Sequence, residues 1–273
     1  MILHDYPIKK GGWKNVITYL VKRIGYFIVF WWSAKLSQAI VVPSQDAKKD
    51  LIARLKIPPS KITVTPEGFD FSLKAEEEPA KGGDSVLNRY KISVPYLLAV
   101  GSMYPHKNLQ RLVDAFALIK GEIYLVLLGK ESFFSQKLRQ KISEMGLSHK
   151  IFFPGQKAPN GYVPDKDLPE FYRHASLFVF PSLKEGFGIP PLEAMAHDLP
   201  VVASKASCIP EVCGDAALYF DPKDPQDMAQ KISYLLENEK LRNSLIKKGR
   251  NQVKKFSWKK MAAQTLEVFK KSL

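Results

Sequence analysis

From Tyr96 onward the chain alternates short, continuous apolar runs with amphipathic stretches. The runs are "YLLAV" (96–100), "IYLVLL" (123–128), "IFF" (151–153), "LFVF" (177–180), "PVVA" (200–203) and "ALYF" (217–220). Helical spacing fills the gaps at 109–119, 134–145, 168–174 and 191–197, and again near 225–236, 238–255 and 258–271. Runs that are apolar at every position, rather than at every second one, belong to strands buried on both faces. The pattern therefore predicts an α/β domain, a Rossmann-like parallel sheet with helices on both sides. In such sheets ligands bind beyond the carboxyl ends of the strands. Gly101–Asn108, Gly129–Lys130, Gly155–Gln156 and Ser182–Gly188 each follow a predicted strand and should line one edge.

The first seventy residues read differently. Met1–Asp5 resembles the end of a strand, and 13–38 a helix with Lys14, Lys22, Arg23 and Lys35 among apolar residues. A short strand over 39–44 leads to a helix over 45–55 with Ser44 as its N-cap. Another strand, 61–65, closes in the turn "PEGFD". Residues 72–92 are rich in charge and glycine and read as a linker. The expected organisation is a partial N-terminal domain at 1–71, the linker, and a C-terminal domain at 93–273.

Lys and Arg number 41 against 27 Asp and Glu, a formal charge of +14 among 273 residues. Nucleic acid, an anionic membrane surface or a phosphate-bearing substrate would each suit that balance. No nucleic-acid-binding motif is present, so nucleic acid is not an expected partner. The two cysteines, Cys208 and Cys213, lack metal or redox spacing, read as buried or idle, and fit a reducing cytoplasm. The longest apolar run, Ile24–Trp32, is far short of the ~20 residues that span a bilayer. Gly129-Lys130 is not a Walker A loop, and Gly186-Phe187-Gly188 does not complete a dinucleotide fingerprint.

The stretch "PSLKEGFGIPPLEAMAHDLPVVAS" (181–204) places Glu185 and Glu193 on either side of a glycine turn. Gly186 and Gly188 allow close main-chain approach to a ligand. A helix beginning near Ile189 would aim unpaired N–H groups at the loop, which suits a phosphate. A carboxylate accepts two hydrogen bonds from one diol. Two carboxylates astride a phosphate nest therefore suit a nucleotide sugar. They would equally cap the helix, and spacing alone leaves both readings open.

"FVFPSLKEGFGIPPLEAMAHDLPVVAS" with "IPEVCGDAALYFDP" closely resembles the glutamate-x7-glutamate signature of family 4 retaining glycosyltransferases of the GT-B fold. "AVGSMYPHKNLQRLVDAF", "VVPSQDAKKDL", "KIFFPGQ" and "FSWKKMAAQTLEVFKKSL" are similar to further segments of that family, in its mannosyltransferase-like branch. The resemblance implies that Glu185 contacts donor-sugar hydroxyls and Glu193 the ribose diol. Main-chain groups of Gly186, Phe187, Gly188 and Ile189 would touch sugar and phosphate. Lys107 would neutralise the diphosphate leaving group, although a solvated loop lysine is the plainer alternative. Gly101 and Ser102 belong to the same phosphate loop. The family often has an arginine there; here Ser102 and His106 stand at those positions, and His106 could take the second phosphate contact. Gln156 would lie beside the base through its backbone, and His4 near the donor sugar. No cofactor or metal is expected, and no protein nucleophile: retention in the family is explained by front-face attack.

The implied reaction moves a hexose, with mannose the first candidate, from a nucleotide diphosphate sugar to a glycan or lipid-linked acceptor in surface polysaccharide biosynthesis. The expected location is cytoplasmic. Lys9, Lys10, Lys14, Lys22 and Arg23 with Tyr26, Trp31 and Trp32 would suit docking at the inner face of an anionic membrane. The strand end at Met1–His4 matches the family midway through its N-terminal domain. The expectation is thus an N-terminally truncated chain, or one completed by a partner chain, with an exposed apolar patch on the helix carrying Trp31 and Trp32. The alternative function is a non-catalytic nucleotide-sugar-binding remnant or a subunit of a two-chain transferase.

Overall fold

The computed structural model describes residues 13–69, 86–92, 94–158 and 160–272, with side chains from residue 17 onward. The chain forms two compact units. One runs up to Gly68 and resumes at Phe256; the other is Phe69–Lys255.

In the first unit, helix α1 (Trp13–Leu36) precedes strand β1 (Ile40–Val42), helix α2 (Gln45–Leu55) and strand β2 (Ile62–Val64). The strands pair in parallel, Ile40 opposite Ile62 and Val42 opposite Val64, with α2 as the crossover. Ser44 starts α2 as predicted, its Oγ accepting from the Ala47 N–H at 3.1 Å. Lys56 ends it in the left-handed region at φ 53°. Ala34, Val42, Leu55, Ile57 and Ile62 form the core, with Phe30 and Trp31 against it. Ile17, Val21, Ile24, Phe27, Ile28 and Trp32 stay exposed, so α1 carries the expected apolar patch. No described helix is long and apolar enough to cross a membrane.

The second unit holds six parallel strands: β3 (Tyr96–Val100), β4 (Tyr124–Leu128), β5 (Ile151–Phe152), β6 (Leu177–Phe180), β7 (Val201–Ser204) and β8 (Ala217–Phe220). Their order is β5-β4-β3-β6-β7-β8. Helices α3 (Val86–Tyr90), α4 (Leu109–Phe116), α5 (Phe133–Glu144), α6 (Leu168–His174), α7 (Ile189–Ala196), α8 (Ile209–Cys213), α9 (Pro225–Glu237) and α10 (Glu239–Val253) connect and cover them. β6 and β7 are buried at every position, which is why they carry no polar alternation. The chain builds outward from β3 to β5, then returns to lay β6 on the other side of β3. That reversal opens a crevice beyond the ends of β3 and β6.

Two expectations about boundaries differ from what is seen. The last helix, α11 (Trp258–Ser272), groups with the first unit; amphipathic spacing predicts that a helix has a packing face, not which unit it joins. Residues 86–92, expected as the end of a linker, are packed: Leu87, Tyr90 and Ile92 are buried. The Tyr90 hydroxyl donates to Asp167 at 3.0 Å, and Arg89 pairs with the same carboxylate at 3.1 Å. Residues 70–85 lie outside the described residues.

Candidate functional site

Three glycines end three neighbouring strands. A Cβ on Gly129 would lie 2.1 Å from the Gly101 carbonyl oxygen, and one on Gly155 would lie 3.0 Å from the Gly129 oxygen. The exits of β3, β4 and β5 therefore touch through bare main chain. Gly101 itself has φ +149°, and its missing Cβ faces the Lys107 side chain at 3.6–3.8 Å.

Beyond Gly101 the chain passes Ser102 and a short turn, Pro105–Lys107, then Asn108 in the left-handed region at φ 59°. Asn108 is buried. Its amide donates to the carbonyls of Pro181 (3.1 Å) and Pro222 (2.7 Å), and its oxygen accepts from Arg111 at 3.0 Å. One side chain thus ties the β3 exit to the exits of β6 and β8. The sequence placed Asn108 only at the end of the Gly101–Asn108 stretch, and it makes no side-chain cap bond to the helix that follows. Asn108→Ala is expected to cost about 2 kcal/mol, since two buried carbonyls lose their donor. Urea unfolding of the two proteins would measure it.

The β6 exit brings the second half of the site. The Leu183 N–H donates to the His106 carbonyl at 2.7 Å, joining the two loops. Lys107 Nζ then meets Glu185 Oε1 at 2.6 Å, with side chains only 15% and 11% exposed. The ammonium also sits 5.6 Å from the centre of the Phe180 ring. Two residues that were read as separate ligand contacts are therefore an ion pair, sheltered from water. The Glu185 main chain is clasped by Ser207, whose hydroxyl accepts from its N–H at 3.2 Å and donates to its carbonyl at 3.1 Å. The Cys208 thiol has the carbonyls of Phe187 (3.2 Å) and Glu185 (3.4 Å) within reach of its single S–H. Cys208 is buried as expected but not idle: it supports the loop from below.

Gly188, at φ +101°, turns that loop into α7, with Phe180 filling the space beside it. Ile189 is the first helical residue, followed by Pro190 and Pro191. Two of the four amides that a helix start leaves unpaired are thus missing. Glu193 lies one turn further on, half-buried, and its Oε2 accepts from the Tyr172 hydroxyl at 2.7 Å. Burial raises the Glu193 carboxyl above the usual carboxylate range; the Tyr172 bond opposes this and the charge of Asp165 adds to it. Burial, with the Glu193 charge, holds the Tyr172 phenol far above its ordinary value, so it acts as a donor. Tyr172 was not singled out from the sequence; only its place in a helix before β6 was.

The remaining predicted residues lie around this centre. Ser102 is half-exposed, and the His106 ring stacks on Tyr104 at 6.1 Å. Phe187 is buried and Gly186 exposed. Gln156 follows β5 in the turn Pro154–Lys157. Its amide oxygen, turned toward Arg139, accepts from the guanidinium at 3.0 Å. Arg139 grips Glu131 through two bonds of 2.9 and 2.6 Å and lies 5.7 Å over Phe153. The same contact holds the Glu131 carboxyl below the usual range. A pocket of about 260 Å³ opens beside these residues, lined by Tyr90, Arg139, Phe153 and Gln156 among others. Lys130 is exposed. His4 lies outside the described residues. Among the described residues no group of three His, Cys, Asp or Glu could hold a metal ion.

Residues 90–252 match the family Glycosyl transferases group 1. The O-antigen chain mannosyltransferase B of Escherichia coli is 34% identical over 245 residues, which are 87% of this chain and 61% of that protein. The MMP alpha-(1->4)-mannosyltransferase of Mycolicibacterium hassiacum is 29% identical over 88% of this chain and 55% of its own length. The chain thus spans well under two thirds of these curated relatives. The C-terminal domain of a group 1 glycosyl transferase from Francisella tularensis superposes with a TM-score of 0.56 at 28% identity, covering 69% of this chain and 97% of that domain. The Anabaena protein HepE, solved with UDP and glucose, shares the fold at a TM-score of 0.75 and 19% identity, over 98% of this chain and 70% of its own.

Proposed function

Because the chain belongs to the group 1 glycosyl transferases and has a Rossmann-like, GT-B-type fold, we propose that it binds a nucleotide diphosphate sugar at the crevice between β3 and β6 and transfers its hexose. The observation that carries this reading is the meeting of Lys107 and Glu185 at 2.6 Å, at the strand-order reversal and beside the glycine turn into α7. On this reading Lys107 holds the β-phosphate, with Gly101, Ser102 and His106 along the diphosphate. Glu185 and the main chain of Gly186, Phe187, Gly188 and Ile189 hold the sugar. Glu193 receives the ribose diol, and Gln156 lies toward the base.

Bond breaking leaves an electron pair on the departing phosphate oxygen. A preplaced ammonium stabilises that charge without reorganisation. The acceptor oxygen bonds to the anomeric carbon and passes its proton to the leaving phosphate on the same face, which retains configuration. Mannose is the first candidate sugar, since both curated relatives described above are mannosyltransferases by name. The acceptor is a glycan or a lipid-linked glycan of a surface polysaccharide. The exposed apolar residues of α1, interleaved with Lys22 and Arg23, suit peripheral contact with an anionic membrane.

Calorimetric titration with GDP, UDP and ADP tests the donor site. One of the three should bind, and Glu193→Ala should weaken it about 10- to 100-fold, the worth of one or two charge-assisted hydrogen bonds. Binding of none, or an unaltered affinity in the variant, would end this reading. Binding without nucleotide release from any donor sugar would favour a non-catalytic subunit.

A further inference from the structure

Tyr172 is 2% exposed, and its ring is fixed on two sides. His197 stacks on it at 5.4 Å with 6° between the planes, and Phe178 lies 5.8 Å away. Its hydroxyl reaches Glu193 Oε2 at 2.7 Å. Glu193 Oε1 has no hydrogen-bond partner among the described residues, although the residue is half-buried. A glutamate has three rotatable side-chain bonds, so a carboxylate one turn inside a helix can face several ways. A donor on a clamped ring removes that freedom on one oxygen and leaves the other for a ligand.

We propose that Tyr172 is the positioning residue for Glu193: it fixes the carboxylate through Oε2 so that Oε1 is presented to the ribose hydroxyls, and it thereby sets the preference for a ribonucleotide. This rests on the reading of Glu193 given above. Tyr172 touches no ligand. Its removal leaves Oε2 without a partner and lets the carboxylate settle in other orientations. The penalty then falls on ligands that use Glu193 and spares those that cannot.

The test compares wild type, Tyr172→Phe, Glu193→Ala and the double variant in calorimetric binding. The probes are whichever of GDP, UDP and ADP binds most tightly, and its 2′,3′-dideoxy analogue. Wild type should prefer the ribonucleotide. Tyr172→Phe, which keeps the stacked ring, should reduce that preference about tenfold and leave the dideoxy affinity unchanged. In the Glu193→Ala background it should change the preference no further. If Glu193→Ala abolishes the preference while Tyr172→Phe keeps it whole, the role of Tyr172 is refuted and that of Glu193 stands. Equal weakening of both nucleotides by Tyr172→Phe would mean a structural role and would also refute it. A ribose preference that survives Glu193→Ala, or no binding at all, removes the reading of Glu193 and this inference with it.

Discussion

Lys107→Ala is expected to weaken nucleoside diphosphate binding about 30-fold, with little change for the nucleoside alone, and to slow transfer about 10²–10³-fold. The Lys107 side chain is 15% exposed and its ammonium is held by Glu185 and the Phe180 ring, so on the proposed reading it stands ready for charge that develops on a leaving phosphate. The variant has a second effect. Glu185, 11% exposed, loses its partner, and an uncompensated sheltered charge costs about 3–5 kcal/mol of stability when fully buried. Lys107→Ala with Glu185→Gln separates the two: stability should return and phosphate affinity should not. Glu185→Gln alone works in the opposite sense on the diphosphate. It frees the ammonium from its internal partner, so the sugar-free diphosphate should bind several-fold more tightly while transfer falls. Calorimetry on the three variants reads all of this. A Lys107→Ala protein that binds diphosphate like wild type would remove Lys107 from the leaving-group role.

Gly129→Ala is expected to cost about 3 kcal/mol of stability and to weaken diphosphate binding with it. The added methyl would stand 2.1 Å from the Gly101 carbonyl oxygen and 2.8 Å from Met103 Cε. The methionine tip can swing aside; the carbonyl can move only with the exit of β3, which leads to Lys107. Denaturant unfolding and nucleotide titration on one preparation would measure both effects. Gly25→Ala is the fitting control. An added methyl there meets nothing within 4 Å, in mid-helix, so it should be neutral or stabilise by up to about 1 kcal/mol. Equal behaviour of the two variants would mean that the strand exits are not packed as described.

What could be read in advance depended on how locally each feature is determined. The strands at 96–100 and 177–180 were legible to the residue because burial on both faces leaves an unbroken apolar run. Ser44 was legible because a cap is a contact three residues away. Glu185 and Lys107 could each be singled out, but not as a pair, because 78 residues separate them and only the strand order brings them together. Asn108, Ser207 and Cys208 escaped for the same reason: each acts on a loop from a different strand. Tyr172 sits in a helix whose spacing announces burial, and nothing local says that its hydroxyl will meet a carboxylate 21 residues on. Gln156 was expected to act through its backbone, and the Arg139 contact with its side chain has no signal in spacing.

Pro190 and Pro191 have a consequence for how the site can change over time. A phosphate held by main-chain amides is indifferent to most substitutions, because every residue except proline supplies the same N–H. Here proline has withdrawn two of those amides, so on the reading proposed above phosphate recognition leans on side chains, Lys107 and His106, more than on the start of α7. On that reading anion affinity at this crevice is a heritable variable, open to change by substitution of those side chains.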